Sequence, residues 1–161
     1  MDAPRTKKSA RRPKVTQDRL IAARGRNLRQ LLLRTTRTVS GLIEAELARR
    51  GYDDVRLSHN TLLAHLDLTG NTITQIAERA QMTKQAMGVL AEELETMGYI
   101  SRRVDARDGR ARVLTFTERG RKLLLESLTI IDEIERQYTA RLGEQTMDGL
   151  RAGLQAILSV P

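Results

Sequence analysis

Thr83, Lys84 and Gln85 carry the first readable chemistry in this chain. A threonine hydroxyl can cap a helix by accepting from a backbone N–H that has no partner inside the helix. The ammonium beside it suits a phosphate, and a primary amide can form two hydrogen bonds to one base edge, most often adenine. A second charged group follows at 102–112, where Arg102, Arg103, Arg107, Arg110 and Arg112 outnumber Asp105 and Asp108. Nothing comparable points to catalysis. The chain has no cysteine, no Gly-rich phosphate loop, no H-E-x-x-H and no recognisable Ser/His/Asp frame. His59 and His65 lack zincin spacing, so a metal there would need ligands from other elements or chains. The sequence implies no metal, no cofactor and no enzymatic activity.

The elements that must position these groups can be read from periodicity. Over 83–99, Ala86, Met87, Leu90, Leu94 and Met97 fall on one side of a helix, with Lys84, Gln85, Gly88, Glu92 and Glu95 on the other. Thr83 is the expected N-cap, and Gly98 the expected left-handed stop. The polar side is basic and uncharged at its start and acidic at its end. A helix of that polarity enters a phosphate-lined groove by its N-terminal turns, where Gly88 would allow close approach. Residues 74–82 predict a shorter preceding helix with Ile76, Ala77 and Ala80 inward, completing a helix-turn-helix. Residues 100–117 predict a hairpin: Ile100 and Val104 open one strand, Asp108-Gly109 turns, and 113–117 returns. Arg107, Arg110 and Arg112 then lie at or near its tip, which makes the unit a winged helix.

Residues 73–124 resemble the core of the MarR-type winged-helix transcriptional regulators, through D-x-R-x-x-R at Asp105, Arg107 and Arg110 followed by the run LTFTERG. Gly109 departs from the basic residue that many members carry there, which removes one potential minor-groove contact. The resemblance implies a mainly α protein, a winged helix-turn-helix with long N- and C-terminal helices that interleave in a homodimer. It implies a pseudo-palindromic double-stranded operator, repression as output, and release by a small effector bound between the long helices and the winged helix. It also implies that one wing arginine pairs with Asp105 to hold the hairpin. We assign that role to Arg110 and leave Arg107 for the minor groove.

Composition agrees with a DNA-binding role. The formal net charge is +8, and it is concentrated in residues 1–14 and in the 102–112 segment, while the remainder is balanced. Positive potential at two defined places suits a polyanion. Only Tyr52, Tyr99, Tyr138 and Phe116 are aromatic, which disfavours single-stranded nucleic acid, where stacking platforms are usual. No apolar run reaches the ~20 residues of a membrane span. No secretory signal is apparent, and the lack of cysteine fits a cytoplasmic protein.

In chain order, residues 1–18 are expected to be a disordered basic tail, and 19–161 one MarR-like domain. Within it, 19–55 and 118–161 form dimerisation helices around a DNA-binding region at 56–117. The first long helix is expected to end at Gly51. A helix over 56–70 is expected to be capped by Ser58, with Leu62, Leu63 and Leu66 inward. Thr117 should cap a long helix with a stripe of Leu124, Leu128, Ile131, Tyr138 and Leu142, with Leu123, Ile130 and Ile134 beside it, ended by Gly143. Met147, Leu150, Leu154, Ile157 and Leu158 should face inward from the last helix. Arg24, His59 and His65 are the candidates for contact with an effector, for which an anionic aromatic compound would suit basic residues at an apolar cleft. The alternative reading is a basic winged-helix module that binds RNA or a protein partner.

Overall fold

The computed structural model describes Gln17 and residues 27–104 and 112–160. The chain divides into two compact units, Met1–Thr38 and Val39–Pro161. The described elements are α1 (Leu28–Arg49), α2 (Leu57–Leu63), β1 (Asn71–Thr72), α3 (Ile73–Arg79), α4 (Lys84–Thr96), β2 (Ile100–Val104), β3 (Arg112–Phe116), α5 (Glu118–Leu142) and α6 (Glu144–Ser159). In the first unit, the α1 residues Leu28, Leu31, Leu32 and Leu33 are exposed.

In the second unit the three strands form an antiparallel sheet in the order β1–β3–β2. Ile100 faces Phe116, Arg102 faces Leu114, and Val104 faces Arg112. The period-2 rule therefore puts Ile100, Leu114 and Phe116 on one face, where all three are buried. β1 pairs with β3 through Asn71 and Thr72. Two residues are too few for a hydrophobic alternation, so this third strand had no signature in the sequence. Its register is held by the buried Asn71 side chain, which accepts from the Asp67 N–H at 3.2 Å and donates to the His65 carbonyl at 3.1 Å.

Thr72, Thr83 and Thr117 each start a helix by accepting a backbone N–H three residues on. At Thr72 the cap is reciprocal, because the Gln75 side chain accepts from the Thr72 N–H at 2.9 Å. The expected Ser58 cap is corrected. α2 begins at Leu57, its N-cap is Arg56, and the Arg56 N–H donates to His59 Nδ1 at 3.0 Å. The imidazole thus accepts the N–H of the N-cap residue itself, and among the described residues no side-chain hydroxyl accepts from the first turn of the helix. The helix also stops at Leu63, so Leu66 is buried from the turn beyond it.

The core joins Leu47 of α1, Leu62, Ile76, Met87, Ala91, Leu94, Tyr99 and the sheet to Leu123, Ile130 and Ile134 of α5. On α5, the line through Leu123, Ile130 and Ile134 is the buried one, and Leu128 and Leu142 of the neighbouring stripe are exposed. The expectation for the last helix needs correction. On α6 only Met147 is buried, and Leu150, Ile157 and Leu158 are exposed. Periodicity identified the apolar faces but did not say which part of each a single chain covers.

Candidate nucleic-acid interface

α4 lies on the core through Met87, Ala91 and Leu94. At 100° per residue that leaves Gln85, Val89, Glu92 and Thr96 along the outermost line, and all four are exposed. Thr83 and Lys84 are also exposed, at the capped end of the helix. Gly88 is half-buried beside this line. A Cβ added there would meet the Ile73 Cδ1 of α3 at 3.9 Å, an ordinary contact. The turn between α3 and α4 contains Gln81 at φ 52°, a left-handed conformation that non-glycine side chains seldom adopt.

The acidic end of α4 is tied into the protein. His59 is only 2% exposed, and its Nδ1 already accepts from Arg56, so the ring proton is on Nε2 and donates to Glu93 at 2.8 Å. Glu95 pairs with Arg102 of β2 at 2.9 Å. Two of the three carboxylates that oppose phosphate at this end are thus engaged with α2 and the hairpin. Arg102, Val104 and Arg112 share a face of the hairpin, and Arg103 lies on the other. Arg103 and Arg112 are exposed. Asp105, Arg107 and Arg110 lie outside the described residues, as does the hairpin turn at Asp108-Gly109.

The C-terminal end of α4 is anchored to the start of α5 by contacts that sequence reasoning missed. The Tyr99 hydroxyl donates to Asp54 Oδ1 at 2.5 Å. Arg119 donates to Asp54 Oδ2 at 2.8 Å, to the Tyr99 oxygen at 2.9 Å and to the Met97 carbonyl at 2.8 Å. Its guanidinium also stands 4.3 Å from the centre of the Tyr99 ring. Burial, reinforced by the Asp54 carboxylate and partly offset by Arg119, pushes the Tyr99 hydroxyl up to about 12. These partners come from three separate segments, which is why no local pattern announced them. At the end of α1, Arg50 pairs with Glu126 at 2.9 Å and Glu133 at 2.6 Å of α5. The two carboxylates raise its already high pKa.

A cavity of about 320 Å³ lies between Ile43, Leu63, Phe116, Leu123 and Ile131, with Asn60 and Ser127 as polar groups. His59 and His65 do not line it. His59 instead borders a cleft formed with Asp53, Asp54, Glu92 and Glu93. Arg24 lies outside the described residues. Among the described residues, no group of three or more His, Asp or Glu could hold a metal, and no helix is long and apolar enough to cross a membrane.

A three-stranded winged helix with an exposed, capped Thr83-Lys84-Gln85 end on its second helix, and exposed arginines on its hairpin, has the architecture that DNA-binding regulators use. Residues 54–111 match the MarR family model. The transcriptional regulator HosA of Escherichia coli O157:H7 is 25% identical over 96 residues, which are 60% of this chain and 71% of HosA. The structure of a Staphylococcus aureus MepR–DNA complex aligns with a TM-score of 0.64 at 27% identity, covering 83% of this chain and 97% of MepR. CouR from Rhodococcus jostii RHA1, solved with p-coumaroyl-CoA, shares the fold with a TM-score of 0.66 at 22% identity, over 85% of this chain and 95% of CouR. The chain is therefore similar to the MarR-family DNA-binding transcriptional regulators, in sequence over residues 54–111 and in fold over most of its length.

Proposed function

We propose that the protein is a homodimeric, sequence-specific repressor whose DNA contact is relieved by a small effector. The observation that carries the DNA-reading part is the outward line at the capped start of α4. Thr83 and Lys84 meet phosphate there, and Gln85 reads a base edge in the major groove. Arg107 enters the minor groove, Arg110 pairs with Asp105 to hold the wing, and Arg112 adds positive charge at its base. The winged helix at 56–117 is the DNA-binding region, and the helices of 19–55 and 118–161 form the dimer. Gly88 stands beside this line, and a methyl group there would make only an ordinary contact with Ile73.

An effector site is supported by the cavity beside α5, since its walls come from both the winged helix and the long helices. Its described lining carries Asn60 and Ser127 but no cation, which suits a largely apolar molecule with one or two hydrogen-bonding groups. This moves the reading away from the anionic aromatic compound and away from His59 and His65. MepR and CouR offer parallels, the one solved on DNA and the other with a ligand.

The test is affinity against salt for operator DNA selected by the protein. Gln85→Ala should lose about 1–3 kcal/mol at the operator and relax one base position. Arg107→Ala should weaken binding to most sequences and lower the log–log salt slope by about one per subunit. Arg110→Ala and Asp105→Ala should resemble each other through a loosened wing. If Gln85→Ala binds operator and scrambled DNA like the parent while Asp105→Ala is silent, this docking is wrong.

A further inference from the structure

We infer that Val89 is a specificity residue that reads the 5-methyl group of a thymine, next to the base pair read by Gln85; this rests on α4 being the helix that lies in the major groove. Val89 is 52% exposed and is not among the side chains packed on the core. It stands four residues after Gln85, on the same outward line. Ideal helix geometry puts the two about 6 Å apart along the axis and about 40° apart around it. That distance carries Val89 about one to two base pairs beyond Gln85, given the ~3.4 Å rise of each strand.

Nothing in the fold asks for valine at this position. The neighbours Gln85, Ala86, Met87, Leu90, Ala91 and Glu92 are good helix formers. A β-branched residue is a poorer one, because its side chain loses rotamer freedom against the preceding turn. An exposed isopropyl group also gains nothing from solvent. In the groove its chemistry becomes selective. Most features of the base edges there are hydrogen-bond donors or acceptors, which an isopropyl group can neither accept from nor donate to. The apolar feature is the thymine C5-methyl. Gln85 and Val89 together then favour an adenine and a thymine at neighbouring positions, through two different kinds of contact.

The experiment uses the full chain and a duplex that it selects from a random library. Each thymine is replaced in turn by deoxyuridine, which removes the methyl group and keeps the hydrogen-bonding edge. For the parent, one thymine per half-site should weaken binding about three- to fivefold on replacement, the loss expected for one buried methyl group. Val89→Ala should bind with that sensitivity abolished, and Val89→Ile should keep it. Alanine is the better helix former, so the variant is not expected to fail by unfolding. A parent indifferent to every replacement, or a Val89→Ala variant as sensitive as the parent, overturns the inference. Gln85→Ala, measured on the same duplexes, separates the two levels. If it relaxes its base while every deoxyuridine is silent, Val89 alone is misassigned. If neither residue affects selectivity, the placement of α4 in the groove falls with it.

Discussion

At Gly120 there is no room for a methyl group. A Cβ built there would stand 2.0 Å from the Tyr99 carbonyl oxygen and 3.1 Å from the Phe116 ring. The Gly120 N–H donates to the Thr117 hydroxyl, which itself donates to the Gly98 carbonyl at 2.6 Å. Backbone atoms at the start of α5 and at the end of α4 thus meet directly. Gly120→Ala should destabilise the protein by about 3 kcal/mol, because neither backbone can move aside without breaking the cap. Urea unfolding measures this, and an unchanged midpoint would show that the two segments are not so close. Tyr99 gives a second prediction. Its folded pKa of about 12 lies above the ordinary value of about 10, so the folded state holds its proton more tightly than the unfolded chain does. The neutral tyrosine therefore costs no stability below about pH 10, and stability falls as pH rises from there through about 12. Asp54→Asn removes the carboxylate that raises Tyr99. In a Tyr52→Phe, Tyr138→Phe background, phenolate absorbance should then appear at lower pH than in the Asp54 parent. Coincident titrations would show that Asp54 does not act on the hydroxyl.

Among the elements, α4 was the most legible, since its buried and exposed sides, its Thr83 cap and its Gly98 stop all follow from local spacing. Gly98 has φ 76°, the left-handed conformation its position calls for. The strands β2 and β3 were legible for the same reason, to within one residue at the second. β1 was not, because a two-residue strand is defined by its partner. The roles of His59, Asp54 and Arg119 were hidden too, since each depends on groups distant in sequence. His59 looked like a candidate for effector contact, yet it is buried and joins Arg56 to Glu93. Gly88 is where local and tertiary readings diverge. Its missing side chain could mean close approach to DNA, whereas the structure turns the vacant Cβ position toward Ile73 with ordinary clearance. Gly88→Ala should therefore raise stability by about 1 kcal/mol through helix propensity and leave operator affinity unchanged. Thermal unfolding and a binding isotherm decide it. A stabilised variant that binds more weakly would put the α4 backbone at Gly88 against DNA.

For the whole molecule, the assembly depends on what covers α5 and α6. Leu125, Leu128 and Leu142 of α5, and Leu150, Ile157 and Leu158 of α6, are exposed in the single chain. Most of the stability of a helix in a protein comes from tertiary packing of its apolar face. In one chain α6 is held by buried Met147 and by Arg151, which pairs with Glu135 of α5 at 2.7 Å and with Asp148 at 3.1 Å. Exposed ion pairs contribute at most about 1 kcal/mol each. One buried methionine adds about 2 kcal/mol, so the described contacts hold the helix weakly. A second copy bringing the same apolar face would bury these leucines and isoleucines at about 1 kcal/mol for each half-exposed side chain. We predict that removing residues 144–161 causes aggregation or loss of fold, because it uncovers the α5 leucines as well as deleting their cover. Leu150→Glu with Ile157→Glu is the gentler test, since both residues are exposed in the single chain and neither is needed for its core. Light scattering should report a folded monomer for this variant, with operator affinity much reduced because the two half-sites are no longer read together. A folded, monomeric, tightly DNA-binding product of the truncation would refute the dimer, and a Leu150→Glu, Ile157→Glu variant that still scatters as two chains would refute this face as its interface.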